Sequence, residues 1–438
     1  MGMMLGWLLA QAVYEAPSRE PTPEETQILE YLNRFRSDPS AEADLIAPPE
    51  RKDMGVDWKM FREEMKALKK MPPLVFNLDL LDSARKHSYY MIHNGLTHVE
   101  EPGKKGFVAA SFGDRCKAAG YKGGPSGENA YAGSEGAWSS HWGFVVDFGA
   151  GPGGMQPERG HRKNMISNVR EVGPGGVPTP RGLSVTHNFG SRDVRLAGGV
   201  VFIDHNNNKF YDPGEGLGNV QISGSGGEGV TTWRSGAFAM DLKGQGAVTI
   251  TATIDGEKLT KTFPAGAENV RFEWIVPAAV ALAKADRYLE AVEKAPEAKK
   301  AAALVNLYHQ TRGLYVDAER KAKIDGLTKE VGPDLEARQK AVNEALKDVE
   351  APGLAKLIEE QRKPFKGTDA DAWFEDAETL AKLKRGVLGF LKQPKPPDRE
   401  RRQMALALED QKRHMKIPAF KAEVDGLISK VSKTERER

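Results

Sequence analysis

The chain has 438 residues, with 63 Lys+Arg against 61 Asp+Glu and a net charge of +2. That length predicts two or three domains, and the near-neutral balance excludes a global field drawing the protein to nucleic acid or an anionic membrane. A single cysteine, Cys116, excludes an intramolecular disulfide framework and a multi-thiolate zinc site.

In chain order, residues 1–22 read as a signal peptide and linker. An apolar run ends in Ala10-Gln11-Ala12, the small-x-small pattern of signal cleavage, although no Lys or Arg precedes it. No other stretch reaches the roughly 20 apolar residues of a bilayer span, so the mature chain is expected to have none. Residues 23–193 alternate helical periodicity with glycine-rich loops. A first helix over about 24–36 puts Ile28, Leu29, Leu32 and Phe35 on one stripe and stops at Ser37-Asp38-Pro39. A second begins near Asp79, with Leu80, Ala84, His87, Met91 and Asn94 at three- and four-residue steps and Gly95 as its break. His87 thus reads as a satisfied core histidine, and His98, just past the break, as free to enter a cleft. Cys116, between Arg115 and Lys117, reads as a half-buried packing residue rather than a nucleophile. The glycine-rich stretches 151–154 and 173–176 lack a strand-loop-helix frame and read as loops.

Residues 194–277 carry short alternating strands over 200–203, 220–222, 237–240, 248–254 and 258–263, which predicts a small antiparallel β-sandwich. Behind the first strand, Asp204, Asn206, Asn208, Asp212 and Glu215 place oxygen side chains at positions 1, 3, 5, 9 and 12 of a twelve-residue loop, with the Phe210 carbonyl at position 7. That spacing wraps one hard cation, so calcium is expected, although Lys209 stands where the helix-loop-helix version has Gly. An Asn/Asp-rich turn without an ion is the plain alternative. Residues 278–438 are charged, with Leu, Ile and Val at three- and four-residue steps, and predict an all-α region of helical hairpins. Within it, 324–331 echoes 424–431, as two diverged helical copies or as chance.

The ordered set N-x-x-R (Asn33, Arg36), A-x-x-H-x-x-x-M (Ala84, His87, Met91), G-x-x-H (Gly95, His98), G-Y (Gly120, Tyr121), G-E-N (127–129), G-H-R-x-N (160–164) and T-x-x-F-G (186–190) resembles the CAP superfamily: cysteine-rich secretory proteins, antigen 5 and pathogenesis-related proteins, also known as the SCP domain, in its bacterial type. The 204–215 loop with the following Gly216-Leu217 and Val220 resembles the calcium-binding B-type repeats of bacterial surface adhesins, which are prealbumin-like sandwiches.

The first resemblance implies an α-β-α sandwich whose cleft gathers two histidines and two acids, often described as a divalent-metal site. Carried over, these are His98, His161 and Glu128; the family's usual second Glu has no match, and Asp147 is the candidate in its place. Two imidazoles with one or two carboxylates suit zinc or another divalent ion. The same set without a metal forms a hydrogen-bonded network in which each carboxylate fixes a histidine tautomer. Asn129 reads as backbone support and Arg162 as a carboxylate partner. The expectation is therefore a multidomain protein, secreted or in the cell envelope, acting as a recognition module for an extracellular ligand such as an envelope component or a protein. Two alternatives stand beside it: a metal-dependent hydrolase with Glu128 as general base, and a structural, adhesin-like surface protein.

Overall fold

The computed structural model describes residues 14, 16, 18–48, 55–225, 229–311, 314, 316–393 and 396–432. The apolar run and Ala10-Gln11-Ala12 lie outside them. The chain divides into two compact units, Met1–Ile275 and Val276–Arg438.

The first unit opens on α1 (Pro23–Ser37), started by a capping box: Thr22 accepts from the Glu25 N–H at 3.2 Å, and the Glu25 carboxylate accepts from the Thr22 N–H at 2.8 Å. The predicted stripe of Ile28, Leu29, Leu32 and Phe35 is buried. After it come α2 (Pro39–Ile46), α3 (Trp58–Ala67), β1 (Val75–Phe76), α4 (Leu78–Asn94), α5 (Phe112–Ala118), β2 (Gly124–Ser134), α6 (Ala137–Val146), α7 (Gly160–Met165), β3 (Glu171–Thr179) and β4 (Gly182–Ser191). The strands form one sheet in the order β1-β3-β4-β2, with β1 and β3 parallel and the other pairs antiparallel.

Alternation along β4 sends its side chains into two layers. Val185 and Phe189 enter the core shared with α1 and α6, while Thr186 and Asn188 meet Ser88 and Ser83 of α4. The result is an α-β-α arrangement. The predicted loop at 173–176 is instead part of β3, and the reason is packing. A Cβ on Gly173 would lie 2.1 Å from the Leu80 carbonyl carbon, and one on Gly175 would lie 2.3 Å from the Arg85 nitrogen. These glycines let α4 lie directly on the sheet, which accounts for a Gly-rich strand.

Beyond β4 come β5 (Arg195–Phe202), β6 (Gln221–Gly224), β7 (Val230–Thr231), β8 (Ala237–Leu242), β9 (Val248–Ile254), β10 (Glu257–Phe263) and β11 (Val270–Ile275). They form a four-stranded sheet, β10-β9-β6-β7, and a three-stranded one, β11-β5-β8. The expected purely antiparallel arrangement needs correction, because β11 runs parallel to β5. This region also shares core with the first: Trp233 packs edge-on against Phe76 at 5.8 Å, and Thr26 donates to Ser235 at 2.8 Å.

The second unit is helical among its described residues: α8 (Ala278–Lys294), α9 (Glu297–Thr311), α10 (Ala318–Thr328), α11 (Val331–Ala345), α12 (Leu354–Arg362), α13 (Asp371–Leu391), α14 (Asp398–His414) and α15 (Pro418–Ser432). Leu335, Val342, Phe374, Leu380 and Val424 lie in its main core. Of the two echoing segments, 424–431 lies within α15, whereas 324–331 starts in α10 and runs past its end to the first residue of α11; Ile324 and Val424 are both buried. No described helix is long and apolar enough to cross a membrane.

Candidate functional site

The N-x-x-R and G-E-N residues build the frame before any chemistry. Asn33 clamps the chain leading into β1, donating to the Leu74 carbonyl at 3.0 Å and accepting from its N–H at 2.8 Å. Buried Arg36 donates to the carbonyls of Pro72, Met165 and Ser167, tying the end of α1 to α7. Gly127 is small because Asn164 sits over it: a Cβ there would lie 2.8 Å from Asn164 Oδ1. Asn164 donates to the Glu128 carbonyl at 3.2 Å and to Asn129 Oδ1 at 2.9 Å, and Asn129 donates to the His161 carbonyl at 3.1 Å. Asn129 supports backbone, as expected, and β2, an edge strand, holds the His161 arm.

That arm rests on Asp147, at the left-handed C-cap of α6 with φ 63°. Its buried carboxylate accepts from His161 Nδ1 at 2.7 Å and from the His161 N–H at 3.0 Å. Arg162 pairs with Glu64 at 2.5 Å and donates to the carbonyls of Val145 and Val146, again as a carboxylate partner.

His98 follows the Gly95 break, whose φ of 88° ends α4. Its Nδ1 bonds Glu128 Oε1 at 3.0 Å, and its side chain is 55% exposed. Each imidazole is therefore fixed at Nδ1 by a buried carboxylate, which puts Nδ1–H toward the acid and the lone pair on Nε2. Neither Nε2 has a hydrogen-bond partner among the described residues.

Glu128 is not free to act further. Arg115 Nη2 reaches both its oxygens, at 2.9 and 2.7 Å. The Asn188 amide, oriented to satisfy both its ends, donates to Glu128 Oε2 at 3.0 Å. With His98, these contacts fill most of the roughly four acceptor positions of a carboxylate. Burial alone would raise its pKa, but the His98 hydrogen bond, the His87 and Arg115 charges and the Arg115 hydrogen bond outweigh that and hold it below the usual range.

His87 lies in the same cluster, buried as predicted, with Nδ1 on Glu100 at 2.9 Å and Nε2 on the Thr97 carbonyl at 2.8 Å. Glu100 and Arg115 were not legible as site residues. Arg115 sits on a seven-residue helix, too short for periodicity to mark its buried face. Cys116 is fully buried rather than half-buried, and burial pushes its thiol up to about 11, consistent with a packing role.

Zinc or a like ion meets a specific donor set here. Among the described residues no group of three or more His, Cys, Asp or Glu side chains is arranged to hold a metal. Glu128 and Asp147 serve the histidines, which leaves the Nε2 atoms of His98 and His161 as imidazole nitrogens without a hydrogen-bond partner among the described residues.

The 204–215 loop follows β5. Lys209 takes φ 59°, the left-handed turn that the sixth position demands, so the missing Gly is accommodated. Asp204 accepts from the N–H of Asn208 at 3.1 Å and of Lys209 at 2.8 Å; Glu215 accepts from the N–H of His205 at 2.9 Å and of Asp212 at 2.7 Å. The amides of Asn206 and Asn208 both donate to Asp212 Oδ2 at 2.7 Å. Phe210 stacks on Tyr31 of α1 at 5.1 Å, and Gln27 donates to Asp212 Oδ1 at 2.8 Å, so the loop is pinned to the first helix.

A mixed sheet between helical layers thus carries two carboxylate-anchored histidines beside its edge strand. Residues 29–189 match the family model described as CAP, cysteine-rich secretory protein family. The first unit therefore carries a CAP domain. No curated protein and no solved structure matches the chain.

Proposed function

We propose that this is an extracellular or cell-envelope recognition protein whose CAP cleft binds a divalent cation through His98 and His161. One observation carries the reading: both imidazoles are locked at Nδ1 by a buried carboxylate, Glu128 at 3.0 Å and Asp147 at 2.7 Å, and both keep Nε2 unengaged among the described residues. This is how metal-ligating histidines are oriented. Zinc titration by calorimetry tests it, with binding expected in the wild type and lost in His98→Ala and in His161→Ala; undiminished binding in both variants refutes it. The hydrolase alternative needs Glu128 as a general base, and a carboxylate held low in pKa with its acceptor positions taken is a poor one.

The second reading concerns the 204–215 loop, which we infer to be a structural calcium site stiffening the β region against α1. Its support is the position-by-position spacing together with the left-handed Lys209. Asp204→Ala with Glu215→Ala should abolish a calcium-dependent rise in Tm, and equal melting in calcium and chelator overturns it.

A further inference from the structure

We propose that the cavity walled by the end of α1, the segment before β1 and the β10–β11 connection is a further binding site, anchored by Arg195, for a small organic carboxylate with an apolar body. It depends on neither the histidine cleft nor the 204–215 loop.

The cavity measures about 730 Å³, within the range of small-molecule sites. Met71, Pro73, Phe263 and Val270 give it an apolar wall, and Arg195, at the start of β5, gives it a charged one. Side chains fix the connection that closes it. Arg195 donates to the carbonyls of Glu268, Gly246 and Pro264 at 2.9, 2.7 and 2.8 Å. Arg170 donates to the Ala267 carbonyl at 2.7 Å, and Asn269 donates to the carbonyls of Pro73 and Arg170 at 3.1 and 2.7 Å while accepting from the Leu196 N–H at 3.1 Å. The walls are thereby set without a ligand, as in most small-molecule sites.

Charge decides what the cavity takes. Arg195 is 6% exposed and its partners are all neutral carbonyls; no acidic side chain lies within ion-pair distance of it among the described residues. Arg36 is bonded the same way, to carbonyls that include Pro72, between the lining residues Met71 and Pro73, and burial lowers its pKa to about 10. The acids around the cavity do not offset this: Glu30 and Glu273 pair with Arg271, and Glu268 is exposed. A buried charge without a counter-ion is costly, so an anion is the partner the site lacks. Three carbonyl bonds leave two of the five N–H groups of Arg195, the number a carboxylate accepts in a planar pair. Inorganic phosphate would answer the charge but leave the apolar wall uncovered, which selects a carboxylate on an aryl or short alkyl body.

The test titrates phenylpropionate into the full chain by calorimetry, with isotope-labelled methionine methyls, assigned through Met71→Leu, reporting where it binds. The Met71 methyl should shift, and both the neutral phenylpropionamide and acetate should bind at least about ten-fold more weakly, the first for want of charge and the second for want of apolar contact. Arg195→Gln should weaken phenylpropionate by at least about ten-fold. Because Arg195 also holds the connection, Ala265→Trp is the second variant: it lies at an exposed position that lines the cavity, so the indole should fill the space and abolish binding in a folded chain. An unmoved Met71 methyl overturns the proposal, as does equal affinity for acid and amide, or undiminished binding in Ala265→Trp or in folded Arg195→Gln.

Discussion

His187 offers a sharp test of how this core handles acid. It lies on β4, fully buried, with neither ring nitrogen hydrogen-bonded among the described residues. Phe144 packs on it at 4.7 Å and Phe189 meets it edge-on at 5.9 Å. Burial first, then the nearby His141 and His161, pushes its pKa down to about 3 from 6.5. The folded ring therefore stays neutral while the unfolded chain takes up a proton below pH 6.5, so this group subtracts stability as the pH falls from 6.5 toward 3. The slope is about 1.4 kcal/mol per pH unit, or about 2–3 kcal/mol between pH 6.5 and 4.5. His187→Phe loses no hydrogen bond, keeps the aromatic packing and removes an unpaired polar group worth about 1–3 kcal/mol. The variant should be more stable at pH 7, and its advantage should widen by about 2–3 kcal/mol at pH 4.5. Hydrogen exchange of the β4 and α6 amides in a urea series measures both quantities, and an advantage that stays constant between the two pH values refutes the assignment.

Other consequences follow from the same interior. In the wild type, burial works to raise the Glu42 pKa, but the Arg34 hydrogen bonds at 2.6 and 2.8 Å, with His141, hold it at about 2. Its contribution is thus present above pH 4.5 and lost as the pH falls toward 2, about 3 kcal/mol in all; acid titration of Glu42→Gln should lack that limb. Arg85→Met strands Glu25, its buried partner at 2.5–2.7 Å, and should cost about 3–5 kcal/mol in urea unfolding, largely restored by adding Glu25→Gln. Gly175→Ala drives a Cβ into the α4 backbone and should lower Tm sharply, whereas Gly113→Ala, with open space around it on α5, should be neutral or slightly stabilising. Cys116 should resist a thiol reagent at pH 8 until the protein is unfolded, as its burial and raised pKa require.

Periodicity and punctuation exposed α1 and α4 in the sequence, because each has a long buried stripe and a chemical stop: the Asp38-Pro39 step for one, and Gly95 at φ 88° for the other. It failed at β3, where glycine normally signals a loop. Gly173 and Gly175 are in a strand because a helix backbone lies against them, and that constraint comes from α4, some ninety residues away in the chain. The parallel pairing of β11 with β5 was hidden for a related reason: strand direction depends on a crossover, which alternation along a single strand does not encode.

The cleft shows the same division at the level of single side chains. His98, Glu128 and His161 were legible because each lies in a short fixed-spacing motif, and such motifs arise where backbone and side chain must meet locally, as Gly127 and Asn164 do. Arg115 carries no such mark. Its meaning comes from thirteen residues later, where Glu128 receives its nitrogen at 2.7 Å, and from seventeen residues earlier, where the His98 carbonyl does so at 3.3 Å. A buried arginine on a short helix is costly unless its partners are supplied by other elements. Full burial of Arg115 beside two acids therefore ties the placement of Glu128, and through it of His98, to the packing of α5, a dependence that the G-E-N motif by itself does not display.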